Sequence, residues 1–290
     1  MRNIMHFNPE SIIDELIDKF SIPLLQDALF VVSHSGGKDS QAMYKILKDH
    51  PIVKNLIVVH AELPGADWEC TLPQIHSTIE HELFTVRAAK TFKEMVQKRG
   101  MWPSPKFRTC TSDLKSSPIQ KFTRNYAKDH GYSLVFNCMG LRAEESPNRS
   151  KKRTIKLNPK ISNRKRSGYD LLPIHHFSID QVLGTYGESL QSLNERRRLY
   201  RLGEHQLALK NWPFSEIYVQ GMTRHSCKIC ILANKQDLRT SAILDPKNFN
   251  EYIDLEDEVN HSFAFENGHK VSLRDITGLN NQTELFKKAS

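Results

Sequence analysis

The chain has 290 residues, of which 39% are hydrophobic, and it carries 41 Lys and Arg against 33 Asp and Glu. This length allows one large α/β domain, or one domain with a smaller appendage. No apolar run approaches the roughly 20 residues that a membrane span requires, and residues 1–10 lack the apolar core of a signal peptide. We therefore expect a cytoplasmic protein without membrane contact. The net charge of +8 favours a polyanionic partner over a purely small-molecule role.

The first predicted elements are an N-terminal helical segment over residues 1–27 and a buried strand over residues 28–32. The strand is short, apolar and partly β-branched, and apolar residues recur at helical spacing after residue 41. Between strand and helix lies the motif Ser35-Gly36-Gly37-Lys38-Asp39-Ser40. Glycines at such a junction let backbone N–H groups surround an anion, and the helix N-terminus adds partial positive charge. The sequence therefore predicts a phosphate-binding loop.

Each residue type in this motif has a use in phosphate chemistry. Lys38 supplies a cation, the two serines supply hydroxyls, and Asp39 can orient Mg²⁺ or the loop itself. The spacing differs from the Walker A loop, which has four residues between its first glycine and the Gly-Lys pair. The motif instead resembles the PP-loop of the ATP pyrophosphatases, a family that cleaves ATP between its α and β phosphates. The resemblance implies that this loop, with Ser33 before it, holds the phosphates of ATP.

The next part of the chain alternates between strand and helix patterns. Further buried strands are predicted at residues 55–60, 82–86, 134–139 and 169–174, with helical patterns between them. This alternation predicts an α/β fold with a doubly wound, mostly parallel sheet over residues 28–176. Ligands of such sheets lie beyond the carboxyl ends of the strands, so we expect His60 and Glu62 near the ribose or adenine. A simple turn-forming role is the alternative.

Two basic clusters bracket a polar loop between the last two of these strands. They are Lys151-Lys152-Arg153 and Arg164-Lys165-Arg166. Charge runs are often solvated surface loops, which is one interpretation of this segment. The other is a surface that holds a long anionic substrate, and it makes these six residues candidate nucleic-acid contacts.

The remaining residues, 177–290, are predicted to form a smaller, mainly helical region that carries a Cys-x-x-Cys motif. The motif consists of Cys227 and Cys230, two of the five cysteines in the chain. Without a secretory signal, such a pair favours metal or redox chemistry over a disulfide framework. A weak helical signal is present near residues 283–288.

Several further motifs occur in the order typical of one family. They are Arg108-x-Cys110-Thr111, Leu114-Lys115-x-x-Pro118, Gly140-x-Arg142-x-x-Glu145-Ser146-x-x-Arg149, Tyr218-x-x-Gly221-x-x-Arg224 and Cys227-x-x-Cys230. With the PP-loop they resemble the phosphoadenosine phosphosulfate (PAPS) reductase family over most of residues 28–260. The resemblance implies a Rossmann-like adenine nucleotide α-hydrolase fold. It also implies that Gly140, Arg142 and Arg149 assist the loop, with Lys38, Asp39 and Arg142 as the catalytic residues.

The chain departs from the true sulfonucleotide reductases in its cysteines. Those enzymes carry an adjacent Cys-Cys pair and a C-terminal catalytic thiol, whereas this sequence has no adjacent pair and no cysteine after Cys230. It is closer in character to ATP pyrophosphatases that sulfurate nucleic acid, such as the DndC and SspD components of DNA phosphorothioation.

This second resemblance implies an ATP pyrophosphatase and sulfurtransferase that adenylates a nucleic acid, above all a DNA backbone phosphate, for sulfur insertion. The partners it implies are DNA or another nucleic acid, a cysteine desulfurase or other sulfur donor, and further phosphorothioation subunits; a homodimer is plausible. Two alternatives stay open: a small-molecule enzyme of the PAPS or APS reductase type, and a non-catalytic nucleotide- or DNA-binding subunit.

Three cysteines are candidate metal ligands: Cys110, Cys227 and Cys230. Three thiolates suit a 4Fe–4S cluster with one iron left free, as in tRNA-thiolating PP-loop enzymes. Structural zinc, with His225 or another histidine as fourth ligand, is the main alternative. An unligated or redox-active pair is the third interpretation.

Overall fold

The computed structural model of this chain describes residues 10–266 and 269–279. The described residues form two compact units, the first over residues 10–60, 74–85 and 119–194, and the second over residues 61–73, 86–118, 195–266 and 269–279. Both units are discontinuous in sequence, and the predicted boundaries after residues 27 and 176 stay a prediction. The predicted helical signal near residues 283–288 lies outside the described residues.

The strands of the first unit form one mostly parallel sheet. Their bounds are β1 Leu29–Ser33, β2 Asn55–Ala61, β3 Leu83–Val86, β4 Leu134–Met139, β5 Ile155–Leu157 and β6 Ser167–Leu171. Among the described residues the strand order is β3-β2-β1-β4-β6-β5. Strand β1 pairs in parallel with β2 and β4, β4 pairs in parallel with β6, and β5 runs antiparallel to β6. This confirms the predicted α/β fold with a mostly parallel sheet.

Two strands differ from the prediction. Strand β5 lies inside the basic segment, which the sequence indicated only as a polar loop. The strand gives a weak sequence pattern because it has three residues and only Ile155 is buried. Strand β6 ends at Leu171, earlier than the predicted residue 174. Pro173 lacks an N–H group for the ladder, which is consistent with the early end.

The described helices are short to medium in length. The α-helices are α1 Glu10–Lys19, α2 Ile22–Gln26, α3 Lys38–Asp49, α4 Thr71–Thr78, α5 Phe92–Arg99, α6 Thr109–Thr111, α7 Ser117–Asp129, α8 Pro147–Ser150, α9 Ile179–Gly184, α10 Leu190–Arg201, α11 His205–Leu209, α12 Lys235–Leu244, α13 Pro246–Glu258 and α14 Leu273–Thr277. A π-helical turn spans Ser112–Ser116, and 3₁₀ turns span Ala143–Glu145 and Glu216–Tyr218. Of the helices described, none is both long and apolar enough to cross a bilayer.

The core of the first unit forms where helices pack on the apolar faces of β1 and β4. The rings of Phe30 and Phe136, on these neighbouring strands, stack with centroids 5.0 Å apart. Phe20 meets Phe136 edge-on at 5.6 Å. Leu16 of α1 and Leu47 of α3 belong to the same buried cluster. Helix α1 is therefore packed into the core of the first unit.

The second unit is mainly helical, as predicted for the C-terminal part, with a small antiparallel ribbon. The ribbon strands are β7 Ala264–Glu266 and β8 His269–Val271. Stacked aromatic rings fill its core: Phe92 lies 5.6 Å from Tyr252, and Trp102 lies 5.9 Å from Tyr252. These rings join α5 to α13 and give the unit a core of its own.

In the first unit, the carboxyl end of β4 approaches the first turn of α3 very closely. A Cβ atom placed on Gly140 would lie 2.9 Å from the carbonyl carbon of Asp39 and 3.0 Å from the backbone nitrogen of Ser40. Backbone atoms cannot move aside as the end of a side chain can. Glycine at position 140 is therefore required by this contact.

We expect Gly140→Ala to lower the free energy of unfolding by about 1–3 kcal/mol, because the added methyl group overpacks this contact. Urea denaturation measures the change. The matched control is Gly184→Ala, since a Cβ at Gly184 meets nothing within 4 Å. Equal stability of the two variants would show that the contact is not tight in solution.

Candidate nucleotide site and cysteine cavity

The loop between β1 and α3 is closed by its own side chains. The Gly36 N–H donates to Nδ1 of His34 at 3.1 Å, and the Ser35 N–H donates to Oγ of Ser40 at 3.2 Å. The Ser40 hydroxyl donates to the Gly37 carbonyl oxygen at 2.8 Å. Gly36 has a φ of 79°, which glycine adopts without strain. The first N–H groups of an α-helix have no partner within the helix, so the start of α3 can donate to an anion.

A buried carboxylate joins two cations beside this loop. Asp39 Oδ2 lies 2.9 Å from Nζ of Lys38, and Asp39 Oδ1 lies 2.5 Å from Nε of Arg142. Burial by itself raises the pKa of the Asp39 carboxyl, but the charges of Lys38 and Arg142 outweigh it and hold that pKa below its usual range. The group is thus ionised at neutral pH and fixes both cations at the loop.

The segment after β4 carries the two arginines that the family resemblance assigned to the nucleotide. Besides Asp39, the guanidinium of Arg142 contacts Glu144 and donates to the Phe177 carbonyl oxygen at 3.4 Å. The Arg149 guanidinium pairs with Glu145, whose carboxylate also accepts from the backbone N–H of Arg142 at 3.1 Å. Arg142 therefore reaches the PP-loop directly. Arg149 belongs to the same loop through Glu145.

His60 and Glu62 have different surroundings. His60, buried at the end of β2, donates from Nδ1 to the carbonyl oxygen of His34 at 2.8 Å. It therefore supports the backbone of the PP-loop. Glu62 lies in the second unit, where its carboxylate oxygens accept from Arg87 at 2.6 and 2.8 Å. A role for either residue at the ribose or adenine stays a prediction.

Ser33 takes part in a polar chain inside the sheet. Its hydroxyl donates to Oδ1 of Asn137 at 3.2 Å, and Nδ2 of Asn137 donates to Oδ1 of Asp170 at 2.8 Å. The sequence showed Asn137 and Asp170 only as polar residues within apolar strands. The chain links the carboxyl-end halves of β1, β4 and β6.

One of the six candidate residues of the basic segment is buried, contrary to the prediction. Five of them are exposed, namely Lys151, Lys152, Arg153, Arg164 and Lys165. Arg166, by contrast, is only 6% exposed, and its guanidinium donates to the carbonyl oxygens of Ile161 at 2.8 Å and Arg124 at 3.1 Å. The prediction of a nucleic-acid contact is wrong for Arg166, because its side chain is buried and joins the loop to the backbone of α7.

The three candidate ligand cysteines of the second unit line one cavity of about 190 Å³, together with Lys115. Burial raises the pKa of the Cys227 thiol to about 11, although the charge of Lys115 opposes this shift. Burial also raises the pKa of Cys110. At neutral pH Cys227 is therefore a thiol that faces an ammonium group. For Lys115, burial lowers the pKa, but the sulfur of Cys227 and the carboxylate of Asp67 outweigh it and raise the pKa overall.

The described residues of this cavity do not form a preorganised metal site. Among the residues that the structure describes, no three His, Cys, Asp or Glu side chains are arranged to hold one. The side chain of Lys115 is hydrogen-bonded to Cys227. His225, the candidate fourth zinc ligand, has Nε2 2.9 Å from the hydroxyl of Thr71. The predicted cluster and its zinc alternative are therefore not found, although the three thiols do share a cavity.

Two residues at these sites were not singled out from the sequence. His34 accepts the Gly36 N–H, and Lys115 lies beside the thiols. Both stand inside motifs that the sequence does show, the PP-loop stretch and Leu114-Lys115. Their roles depend on three-dimensional contacts that residue spacing does not encode.

Sequence comparison places this fold and site in a known family. The profile of the phosphoadenosine phosphosulfate reductase domain matches residues 29–190, which is more than half of the chain. The chain therefore belongs to the phosphoadenosine phosphosulfate reductase domain family, and the predicted family resemblance is confirmed. No curated protein sequence matches the chain significantly.

Solved structures give weaker likenesses. The FMN adenylyltransferase of Candida glabrata is 16% identical, with a TM-score of 0.39, over 62% of this chain and 53% of that chain. The phosphoadenylyl-sulfate reductase of Candida auris, in a phosphate complex, is 12% identical, with a TM-score of 0.36, over 69% of this chain and 87% of that chain. The chain thus spans about half the length of the FMN adenylyltransferase. These values are too low to say anything about function.

We expect Asp39→Asn to lower the free energy of unfolding by about 3 kcal/mol at neutral pH, since it leaves two buried cations without their shared carboxylate. The folded-state pKa of Asp39 is depressed, so its stabilisation is present above the unfolded pKa of about 4 and is lost as the pH falls through the folded value. The stability difference between parent and variant should therefore shrink below about pH 4. Urea denaturation across this pH range measures it.

The control for this variant is Asp49→Asn, at the far end of the same helix. The Asp49 side chain is 54% exposed, and its lysine partners lie 3.7 and 3.9 Å away. Exposed pairs of this kind contribute little, about 0–1 kcal/mol. If the difference in the free energy of unfolding between the parent and Asp39→Asn did not change with pH, the role given to the carboxylate would be contradicted.

Proposed function

We propose that this chain is an ATP pyrophosphatase that adenylates a nucleic-acid phosphate for sulfur insertion, as in DNA phosphorothioation. The observation that carries the proposal is the PP-loop, with Lys38, Asp39 and Arg142 joined at the start of α3. Family membership supports the use of a sulfur- or adenylyl-linked nucleotide. The net charge of +8 supports a polyanionic partner.

The first step is adenylyl transfer. A non-bridging oxygen of the substrate phosphate attacks the α-phosphorus of ATP, the bond from that phosphorus to the bridging oxygen breaks, and pyrophosphate leaves with the electron pair. Lys38 and the N–H groups at the start of α3 stabilise the charge that develops on the phosphates. Asp39 holds Lys38 and Arg142 in place for this task. Mg²⁺, when bound together with ATP, would neutralise phosphate charge.

The second step replaces oxygen by sulfur. Hydrosulfide attacks the activated substrate phosphorus, AMP leaves with the former phosphate oxygen, and loss of one proton gives the phosphorothioate. AMP is a good leaving group, whereas the phosphate oxygen alone is not. We propose that a separate donor, such as a cysteine desulfurase with a reductant, supplies the hydrosulfide. This step is not routed through a metal cluster.

The substrate class rests on the exposed basic residues of the first unit. Lys151, Lys152 and Arg153 follow the segment that carries Arg142 and Arg149, and all three are exposed. Such residues neutralise the phosphates of a nucleic-acid backbone. A homodimer and other phosphorothioation subunits belong to the same proposal as partners of this chain.

A small-molecule sulfonucleotide reaction is the second candidate, and the match to the PAPS reductase domain favours it. That reaction consumes PAPS and releases sulfite, while the adenylation reaction consumes ATP and releases pyrophosphate. The third candidate, a subunit that only binds nucleotide or DNA, turns over neither compound. The products therefore separate all three candidates.

We expect Lys38→Ala to reduce adenylyl transfer from ATP labelled at the α-phosphorus onto DNA by about 100-fold or more, because it removes a cation at the reacting phosphates. Labelled DNA on a denaturing gel gives the rate. The control is Lys45→Ala, a residue of the same helix with a side chain that is 42% exposed. Equal transfer by both variants, or sulfite release from PAPS without any transfer, would refute the proposed reaction.

We also expect the logarithm of the DNA-binding constant to fall linearly with the logarithm of salt concentration. The triple change of Lys151, Lys152 and Arg153 to Gln should make that slope shallower by about 2–3, since each duplex phosphate contact adds about 0.9. Fluorescence anisotropy of labelled DNA at several salt concentrations measures the slope.

A charge-matched control separates local contact from global charge. It changes Lys54, Lys121 and Lys128, three exposed lysines of the first unit, to Gln. This control should keep most of the parent slope. Binding that does not respond to salt, or an equal loss in both triple variants, would rule out the assigned contact surface.

A further inference from the structure

A second cavity of the first unit has a strongly basic lining. Its volume is about 440 Å³, and its described lining includes no PP-loop residue. Its cationic or titratable groups include those of Lys19 in α1, His176, and Lys152 and Arg153 of the basic segment. These residues are far apart in the sequence, so the fold brings them together. Neither the family match nor the predicted phosphate loop accounts for this cavity.

A buried histidine without a complete set of partners lies in the same lining. His175 is only 2% exposed, and Nε2 donates to the carbonyl oxygen of Arg149 at 3.0 Å. Its other ring nitrogen, Nδ1, has no hydrogen-bond partner among the described residues. Buried polar atoms in folded proteins nearly always have a partner. A ligand in the cavity would supply the missing one, either as a hydroxyl donor or as an oxygen acceptor for the protonated ring.

The other polar groups of the lining are compatible with an anion. Glu15 is the cavity's carboxylate, and it already accepts from the Thr154 hydroxyl and from Lys19, each at 2.5 Å. These contacts orient Lys19 and Thr154 and occupy the Glu15 oxygens. Arg153 is exposed and lines the cavity. A guanidinium group can bind two oxygens of one phosphoryl group at once.

We propose that this cavity is a phosphoryl-binding site separate from the PP-loop. Lys152 and Arg153 neutralise the ligand, Lys19 lies beside it in its ion pair with Glu15, and His175 Nδ1 bonds to one of the ligand oxygens. The volume exceeds that of a single phosphate, so the phosphoryl group is part of a larger molecule. Its source is either a backbone phosphate of a nucleic-acid strand or a free phosphorylated small molecule. The bond from His175 to Arg149 connects the site to the loop that carries Arg142.

The test uses the full chain with Lys38→Ala, which disables the PP-loop, and inorganic phosphate as the probe. Isothermal titration calorimetry should show saturable binding at one site. Adding Arg153→Gln should weaken that binding by about tenfold or more, as expected for the loss of a charge-assisted contact. His175→Phe should weaken it as well. Because Arg153 is exposed, its variant remains informative even if His175→Phe fails to fold.

The matched control is Lys165→Gln, an exposed cation of the same unit that does not line the cavity. It should change phosphate binding by less than about twofold, since distant surface charges are screened. The proposal is overturned if the Lys38→Ala protein shows no saturable phosphate binding, or if Arg153→Gln and Lys165→Gln behave alike. Adenylyl transfer is not measured here, so this result is independent of the proposed reaction.

A competition experiment distinguishes the two sources of the phosphoryl group. A short oligothymidine without terminal phosphates is added to the phosphate-bound protein. Displacement of phosphate, with oligonucleotide binding that also weakens in Arg153→Gln, assigns the site to a nucleic-acid backbone. Phosphate binding that the oligonucleotide leaves unchanged assigns it to a free phosphorylated molecule.

Discussion

The candidate nucleotide site depends on the Asp39 carboxylate, which holds Lys38 on one side and Arg142 on the other. Lys38 and Arg142 come from different strand–helix junctions, so the pairing needs β1 and β4 to be neighbours in the sheet. It also needs the backbone after β4 to approach α3, which only glycine at position 140 permits. The strand order runs from β1 to β2 and β3 on one side and from β4 to β6 and β5 on the other. Ligands of such sheets bind at the carboxyl ends of the two strands where the order reverses, here β1 and β4. Topology, close backbone approach and ion pair together define one site.

The charges at the two sites of chemical interest have opposite consequences. At the PP-loop, two cations outweigh the burial of a carboxylate, so Asp39 stays ionised. In the cysteine cavity of the second unit, burial outweighs the charge of Lys115, so Cys227 is a thiol at neutral pH. The first arrangement is ready for a polyanion. The second keeps a buried thiol beside the side chain of Lys115.

Much of the fold could be predicted because its strands are apolar runs with clear ends. Strand β4, Leu134–Met139, matches the predicted residues, and the phosphate loop was evident from glycines between a strand and a helix. Strand β5 could not be predicted, since its pairing with β6 and not its own composition makes it a strand. The burial of Arg166 depends on carbonyl groups that are distant in the sequence. The discontinuous units likewise follow from long-range contacts, which no local pattern contains.

The central claim is that this chain breaks ATP between the α and β phosphates. Phosphorus NMR of a reaction with ATP, Mg²⁺ and DNA identifies the broken bond directly, because each product has its own resonance. We expect pyrophosphate whenever DNA is present, and AMP in an equal amount once a sulfide source is added as well. ADP and orthophosphate as the products, or ATP that stays intact while PAPS is consumed, would contradict it.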